Sequence, residues 1–502
     1  MDLLHNLALG FGTALTLQNG LYCFLGCLLG TAIGVLPGIG PVPTIAMLLP
    51  ITYSLSPTTA LIMLAGIYYG AQYGGSTTSI LVNLPGESSS VVTCLDGYQM
   101  ARRGRAGAAL TISALGSFFA GCVATVVIAA FAPALAEVAF QFGPAEYFSL
   151  LVVGMLGAVM LAHGSALKAV AMIVLGVLLG LVGTDVNSGV ERFSLGVPEL
   201  ADGINFVVVA MGLFAFSEII KNLEQTGEER EVFTENVKDM WLTKEEVREA
   251  VPAVLRGTIL GSVLGILPGG GAVVASFAAY AFEKKVSKTP ERFGKGAIAG
   301  VASPESANNA AAQTSFIPML VLGLPANATM ALMVRAMMIH SIQPGPQAMT
   351  SNPALFWGLI CSMWIGNVML LVLNLPLIGM WIKMLKLPYR FMFPAILLFC
   401  AIGVYSLQNN VVDVLLTIPF GVLGYFFDKL ECEPAPLLLG FILGPMLEEN
   451  LTRAMLIARG SVSIFYTRPL SLALLVVAGA LLFLMIVPAV RKKRAEVFAE
   501  EN

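Results

Sequence analysis

Residues 30–40 read GTAIGVLPGIG, and residues 261–271 read GSVLGILPGGG. Six of the eleven positions are identical: Gly30/Gly261, Gly34/Gly265, Leu36/Leu267, Pro37/Pro268, Gly38/Gly269 and Gly40/Gly271. The first copy interrupts a run that is otherwise apolar from Leu21 to Ile51. Proline removes a backbone donor and clashes with the preceding turn, while glycine admits positive φ. Each copy therefore ends one half-helix and starts another. Non-helical backbone at membrane depth must be buried in protein or line a wet cavity. The breaks thus read as two re-entrant tips that offer free backbone groups to a ligand. Kinked helices packed through glycine are the alternative.

A weaker second pair follows each copy, NLPGESSS at 83–90 and GLPANATM at 323–330. Each half therefore runs from a broken apolar segment through one span to another broken segment, then into ordinary helices. This duplication fits inverted-topology repeats, the plan of many secondary transporters.

Composition supports the membrane setting. Of the 502 residues, 57% are apolar and 12% charged, against about 45–50% and about 25% in soluble proteins. The balance of 28 Lys+Arg to 31 Asp+Glu leaves no basic excess, which excludes a nucleic-acid binder. About half of the charge is concentrated in 218–256, 283–295 and 491–502. The fold class is an all-α polytopic membrane protein with roughly 11–12 transmembrane segments. Candidate spans lie near 58–74, 107–131, 147–163, 166–183 and 204–220, then near 296–312, 354–380, 391–408, 410–429, 435–452 and 469–490.

The organisation follows: a first transmembrane repeat over 1–220, a charged cytoplasmic linker over 221–251, a second repeat over 252–490 and a basic cytoplasmic tail over 491–502. Placing Arg102, Arg103, Arg105, Lys284, Lys285, Lys288, Lys383, Lys386, Arg390 and the terminal Arg491–Arg494 cluster inside leaves the N-terminus outside and the C-terminus inside. The first twenty residues lack a basic n-region and an A-x-A-like cleavage site, so they read as a short interfacial helix with Leu3, Leu4, Leu7 and Phe11 turned inward. Seven scattered cysteines and three distant histidines form no metal-ligand pattern. No transition-metal site is expected.

The chemistry resides in uncharged polar clusters beside the breaks. Hydroxyl and amide oxygens can coordinate Na⁺, and half-helix N-termini can hold carboxylates. Substrate-binding candidates are Ser76, Thr77, Thr78, Asn83, Gly86 and Ser88 in the first half, and Asn308, Asn309, Gln313, Asn327 and Thr329 in the second. Cation-binding candidates are Gly38, Gly40, Gly269, Gly271 and Glu305. Glu87 and Glu305 are ionisable groups at the breaks and suit a proton or a cation. Arg335 suits an anionic substrate or a snorkelling role. Oxygen-only clusters point to Na⁺, and the two glutamates keep H⁺ open. No HExxH, GxSxG or Walker-type motif occurs, so no catalytic residues and no cofactor beyond the coupling cation are assigned. A passive channel or exporter is one rival reading. An intramembrane enzyme built on His163 or His340 is the other.

These segments resemble a known family. GTAIGVLPGIGP (30–41), YGAQYGGSTTSILVNLPGE (69–87), LDGYQMARRGRAGAAL (95–110) and FGPAEYF (142–148) are similar to the large membrane subunit of tripartite tricarboxylate transporters. So are GILPGGGAVVASFAAYAFEKK (265–285), GVASPESANNAAAQTSFIPMLVLGLPANATMALM (300–333) and FGVLGYFFDKLECEPAPLLLGFILGPMLEENL (420–451). The resemblance implies a bacterial inner-membrane subunit, surrounded by lipid, that works with a small membrane subunit and a periplasmic solute-binding protein. It implies uptake of di- or tricarboxylates or related organic acids such as citrate, driven by a cation gradient. It also implies that both LPG breaks and the STTSILVNLPG and ASPESANN regions line the path.

Overall fold

A computed structural model describes residues 3–36, 40–162, 165–185, 189–224, 239–267, 271–385 and 389–486. The expectations on Gly38, Gly269, His163, the middle of the linker and the basic tail fall outside those residues. The helices in chain order are α1 (Leu3–Ala14), α2 (Leu17–Val35), α3 (Pro41–Leu48), α4 (Pro57–Val82), α5 (Ala106–Ala139), α6 (Pro144–Leu161) and α7 (Ala166–Gly180). A helical segment over 206–224, α8, contains a π-helical stretch at Met211–Phe216. The second half holds α9 (Lys244–Gly265), α10 (Gly271–Val286), α11 (Ala299–Thr314), α12 (Ala328–Ile339), α13 (Pro353–Asn374) and α14 (Ile378–Leu385). The chain ends through α15 (Tyr389–Gln408), α16 (Val411–Lys429), α17 (Pro434–Ile457) and α18 (Pro469–Ile486). Among the described residues the sheet content is one antiparallel pair, Gly183–Thr184 with Glu191–Arg192. This is an all-α polytopic membrane protein.

The LPG segments break the helices where the residue chemistry requires. α2 stops at Val35 and α3 starts at Pro41, with Gly40 at φ 67°. α9 stops at Gly265 and α10 starts at Gly271, at φ 49°. Gly40 and Gly271 are the paired last positions of the repeat, and both occupy the left-handed region that favours glycine. The second pair of breaks matches in the same way. Asn83 at φ 59° ends α4, and Gly323 at φ 71° ends the helical residues that follow α11. Four residues on, Glu87 and Asn327 are both extended and both begin a new helical turn.

Glycine stripes set the packing. A Cβ on Gly26, Gly30 or Gly34 would collide with the carbonyls of Met63, Ile67 and Ala71 respectively, so α2 and α4 run parallel at close range. Asn19 and Thr59 tie their starts together at 2.6 Å. Gly257, Gly261 and Gly265 meet the main chain of Ser303, Ala307 and Ala311 in the same fashion, so α9 and α11 are also parallel. Each intervening helix is the return stroke. Across the halves the direction reverses: Ser76 meets Glu305, and Tyr68 packs on Phe316 with ring centroids 6.4 Å apart. α4 and α11 are therefore antiparallel.

One face gathers the basic segments. Val35, Ile80, Met100, Ala106, Ala250, Phe293 and Trp381 form one apolar cluster. Arg105 pairs with Glu246 at 2.5 Å and Arg292 with Glu249 at 3.1 Å. The loops around 102–105 and 284–295 thus share a face with the end of the linker. The start of α2 lies at the opposite face.

One expectation needs adjustment. In α1, Leu7 and Phe11 pack inward, Phe11 stacking on Trp364 at 5.8 Å, but Leu3 and Leu4 are exposed. Gly10 is the contact that draws α1 onto α13, against Trp357, and this turns the first leucines away. By length and apolarity four helices among the described residues qualify as spans, α2, α5, α13 and α16, with five shorter apolar helices beside them. Other helices carry interruptions or polar stripes that lower their hydropathy. α4 is 26 residues long, about 39 Å, yet holds Gln72 and Ser76–Ser79.

Candidate functional site

Helix starts built by the breaks converge on one cavity of about 760 Å³. Gly40–Pro43 of α3 and Gly271–Val274 of α10 enter it from the first pair of breaks. Pro85–Ser89 and Ala326–Thr329 enter from the second pair, and Glu433–Pro436 adds the start of α17. Tyr68 and Gln72, near the middle of α4, form its deep wall. Lys221, Asp428 and Glu433 line the other end, where the Lys221 and Asp428 side chains are 38% and 47% exposed. The cavity therefore passes from mid-depth of α4 to water at the ends of α8 and α16.

The first N–H groups of a helix have no intrahelical partner, and its start carries roughly half a positive charge. Prolines 41, 43, 434 and 436 remove donors from α3 and α17. The usable donors are therefore concentrated on α10 and α12. Asn327 caps α12 by accepting the Met330 N–H at 2.9 Å, and its amide donates to the Tyr68 hydroxyl at 3.2 Å. Among the described lining residues Lys221 is the one cation, and it is paired with Asp428 at 3.0 Å. Full side-chain cations are absent from the deep half of the described lining.

A hydrogen-bonded chain backs this wall. Gln72 donates to Glu87 Oε2 at 3.1 Å and accepts from Ser89 at 2.8 Å. Ser76 and Thr93 both donate to Glu305, which is fully buried. Further along α11, Asn309 donates to Ser117 at 2.7 Å, and Gln313 donates to Asn367 at 3.0 Å while accepting from Thr125 at 2.5 Å. The stripe Glu305–Asn309–Gln313, spaced by four, lies against Ser117, Gly121 and Thr125 of α5.

Of the residues singled out from sequence, Gly40, Gly86, Ser88, Gly271, Asn327 and Thr329 line the cavity. Ser76, Thr77, Thr78, Asn308, Asn309, Gln313 and Glu305 are buried outside the lining. Thr78 donates to the Val35 carbonyl at 2.7 Å, securing the end of α2. Asn308 is fully buried with neither amide atom partnered. Asn83 is exposed as the left-handed end of α4. Arg335 is half-buried and off the cavity. Sequence reading missed Tyr68, Gln72 and the α17 start. A glutamine inside YYGAQYGG and a Pro-Ala-Pro after a charged stretch were the signals available. It also missed Asp96, a buried carboxylate that accepts from the main-chain N–H groups of Gly294, Gly296 and Ala297 and from Tyr280. No group of three or more His, Cys, Asp or Glu side chains that would hold a metal occurs among the described residues.

Residues 21–439 match the Tripartite tricarboxylate transporter TctA family. The chain belongs to that family. This TctA-family protein is also 61% identical, over the full length of both chains, to an Agrobacterium vitis protein described as an uncharacterized 52.8 kDa protein in the TAR-I ttuC' 3' region. A second Agrobacterium vitis protein, described from the TAR-II ttuC' 3' region, is 58% identical over 242 residues, 48% of this chain and all of the relative. No solved structure matches. The protein is a multi-pass membrane transporter subunit, and its family is one of transporters rather than enzymes.

Proposed function

We propose that this protein is the large membrane subunit of a binding-protein-dependent importer of di- or tricarboxylates or related organic acids. It works with a small membrane subunit and a periplasmic solute-binding protein in a bacterial inner membrane, by symport with a cation, Na⁺ or H⁺. The observation that carries the reading is the meeting of both pairs of breaks at one cavity with helix starts turned inward and no unpaired side-chain cation in its described lining. Several partial charges suit a polyanion that must bind and then leave.

The N-terminus is periplasmic and the C-terminus cytoplasmic, in keeping with the basic loops gathered at one face. The halves are inverted repeats, a reading supported by the antiparallel α4 and α11. Glu305, with the hydroxyls of Ser76 and Thr93, is the cation candidate retained from the sequence. A carrier is favoured over a channel because Tyr68, held by Phe316 and Asn327, blocks the deep end of the cavity.

The test is thermal stabilisation of the purified chain by a panel of di- and tricarboxylates, followed by uptake in proteoliposomes with both partner proteins. Stabilisation by carboxylates, and uptake that stops when the cation gradients are collapsed, are expected. Stabilisation by neutral or cationic solutes alone overturns the reading.

A further inference from the structure

The cavity that suits an anion has a carboxylate in its own wall. Glu87 lines it beside Gly86 and Ser88, at the start of a helical turn. One oxygen, Oε2, accepts from Gln72 at 3.1 Å. The other, Oε1, is buried and makes no hydrogen bond, while the main-chain N–H of Ser89 is turned toward the carboxylate. No cationic group holds this carboxylate among the described residues. Its neighbours that carry or can carry charge are Tyr68 on α4 and Glu305 on α11, and the next ionisable side chain along its own segment is Cys94. Across the cavity stand Glu218 and Lys221 on α8, Asp428 on α16, and Glu433 ahead of α17. Lys221 is paired with Asp428. The lining part of α10 offers only Gly271–Val274 and Phe277.

An ionised carboxylate with one buried, unpaired oxygen is unfavourable by itself. Beside a bound polyanion it is doubly so. A like charge about 7 Å away, at an effective dielectric near 20, weakens an anion roughly 50-fold. A proton on Oε1 removes the charge, so the site no longer repels the substrate, and turns the oxygen into an O–H donor for which a carboxylate in the cavity can serve as acceptor.

Building on the carboxylate reading above, we infer that Glu87 is a coupling-proton site of the carrier. The proton is taken from water on the loading side when the carboxylate binds. It returns to water on the release side when the carboxylate leaves. Each cycle thus moves the substrate anion together with one proton, and no bond in the substrate changes. Binding and protonation favour each other, so affinity falls as pH rises through the range in which the free site loses its proton.

Titration calorimetry of the full chain with fumarate tests this, in buffers of different ionisation enthalpy between about pH 6 and pH 9. Fumarate is fully ionised there, so its own protons do not contribute. The wild type is expected to take up as much as ~0.8 proton per fumarate at the midpoint and to lose roughly 50-fold in affinity across the range. Glu87→Asp keeps the uptake, whereas Glu87→Gln abolishes it and flattens the pH dependence. Fumarate binding without proton uptake by the wild type overturns the inference while leaving the carboxylate site standing, and this holds even if a variant misfolds. Equal uptake by wild type and Glu87→Gln overturns it as well. Failure of every carboxylate to bind at any pH overturns the site and the inference together.

Discussion

Gly86 is the point where the two breaks of the first half touch. A Cβ there would lie 2.6 Å from Gly75 Cα and collide with the Gly34 carbonyl. Ordinary carbon contacts begin near 3.5 Å, so Gly86→Ala forces about 1 Å of separation between main-chain segments. No flexible side chain is available to yield, since both neighbours are glycine backbone. Overpacking of this kind costs about 1–3 kcal/mol, and the upper part of that range is expected here. The displacement also moves Pro85–Ser89, which line the cavity, so carboxylate affinity should fall at least tenfold, about 1.4 kcal/mol. The assay is apparent unfolding temperature at a fixed scan rate, with carboxylate titration on the same sample. Gly12→Ala is the control, because its Cβ meets nothing within 4 Å and alanine gains about 0.5–1 kcal/mol over glycine in a helix. A Gly86→Ala protein with wild-type unfolding temperature and wild-type affinity would refute the close-contact reasoning.

Three further outcomes are expected. Tyr68→Phe removes the hydroxyl that receives the Asn327 amide, costs about 0.5–1.5 kcal/mol and loosens the deep end, read as substrate leak from loaded liposomes. Ser76→Ala leaves buried Glu305 without one of its hydroxyl donors, and a loss of about 1–3 kcal/mol is read by thermal unfolding, with Ser79→Ala as comparison. Lys221→Glu frees Asp428 at the cavity mouth and adds negative charge, so carboxylate association from that side slows, and the slowing shrinks as salt rises. A salt-independent loss would place the effect in the fold instead.

The breaks were legible in sequence because proline and glycine state their backbone consequences locally. Pro37, Pro268 and their glycines gave helix ends at Val35 and Gly265 and starts at Pro41 and Gly271. The second pair was weaker as sequence, yet Asn83 and Gly323 share a left-handed backbone, since asparagine tolerates that region better than most other side chains do. What sequence could not assign was the facing of polar side chains within an intact helix. Gln72 and Ser76 are one turn apart on α4, yet the first lines the cavity and the second turns to Glu305. Asn309 and Gln313 look like ligand groups by type, but their partners, Ser117, Thr125 and Asn367, come from distant helices. Only tertiary contact decides whether an amide is spent on protein or left for a ligand.

The scarcity of side-chain cations in the described lining of the deep cavity has a mechanical consequence. A lysine or arginine at that depth would hold a polycarboxylate in every conformation, because the charge travels with one flexible side chain. A helix start is fixed to its helix and acts only within the first turn. The starts at the cavity belong to different halves: α3 to the first, and α10, α12 and α17 to the second. Any displacement of one half against the other changes how many starts point at the substrate. Each is worth about 0.3–1 kcal/mol when exposed and up to ~2 kcal/mol when partly buried. Withdrawing α10 and α12, whose starts keep their donors, from a substrate that stays with the first half weakens binding by roughly threefold to thirtyfold when they are exposed and up to about a thousandfold when they are partly buried. Affinity in such a site follows from conformation without any residue changing its charge, and protonation of Glu87 adds a second control on the same anion.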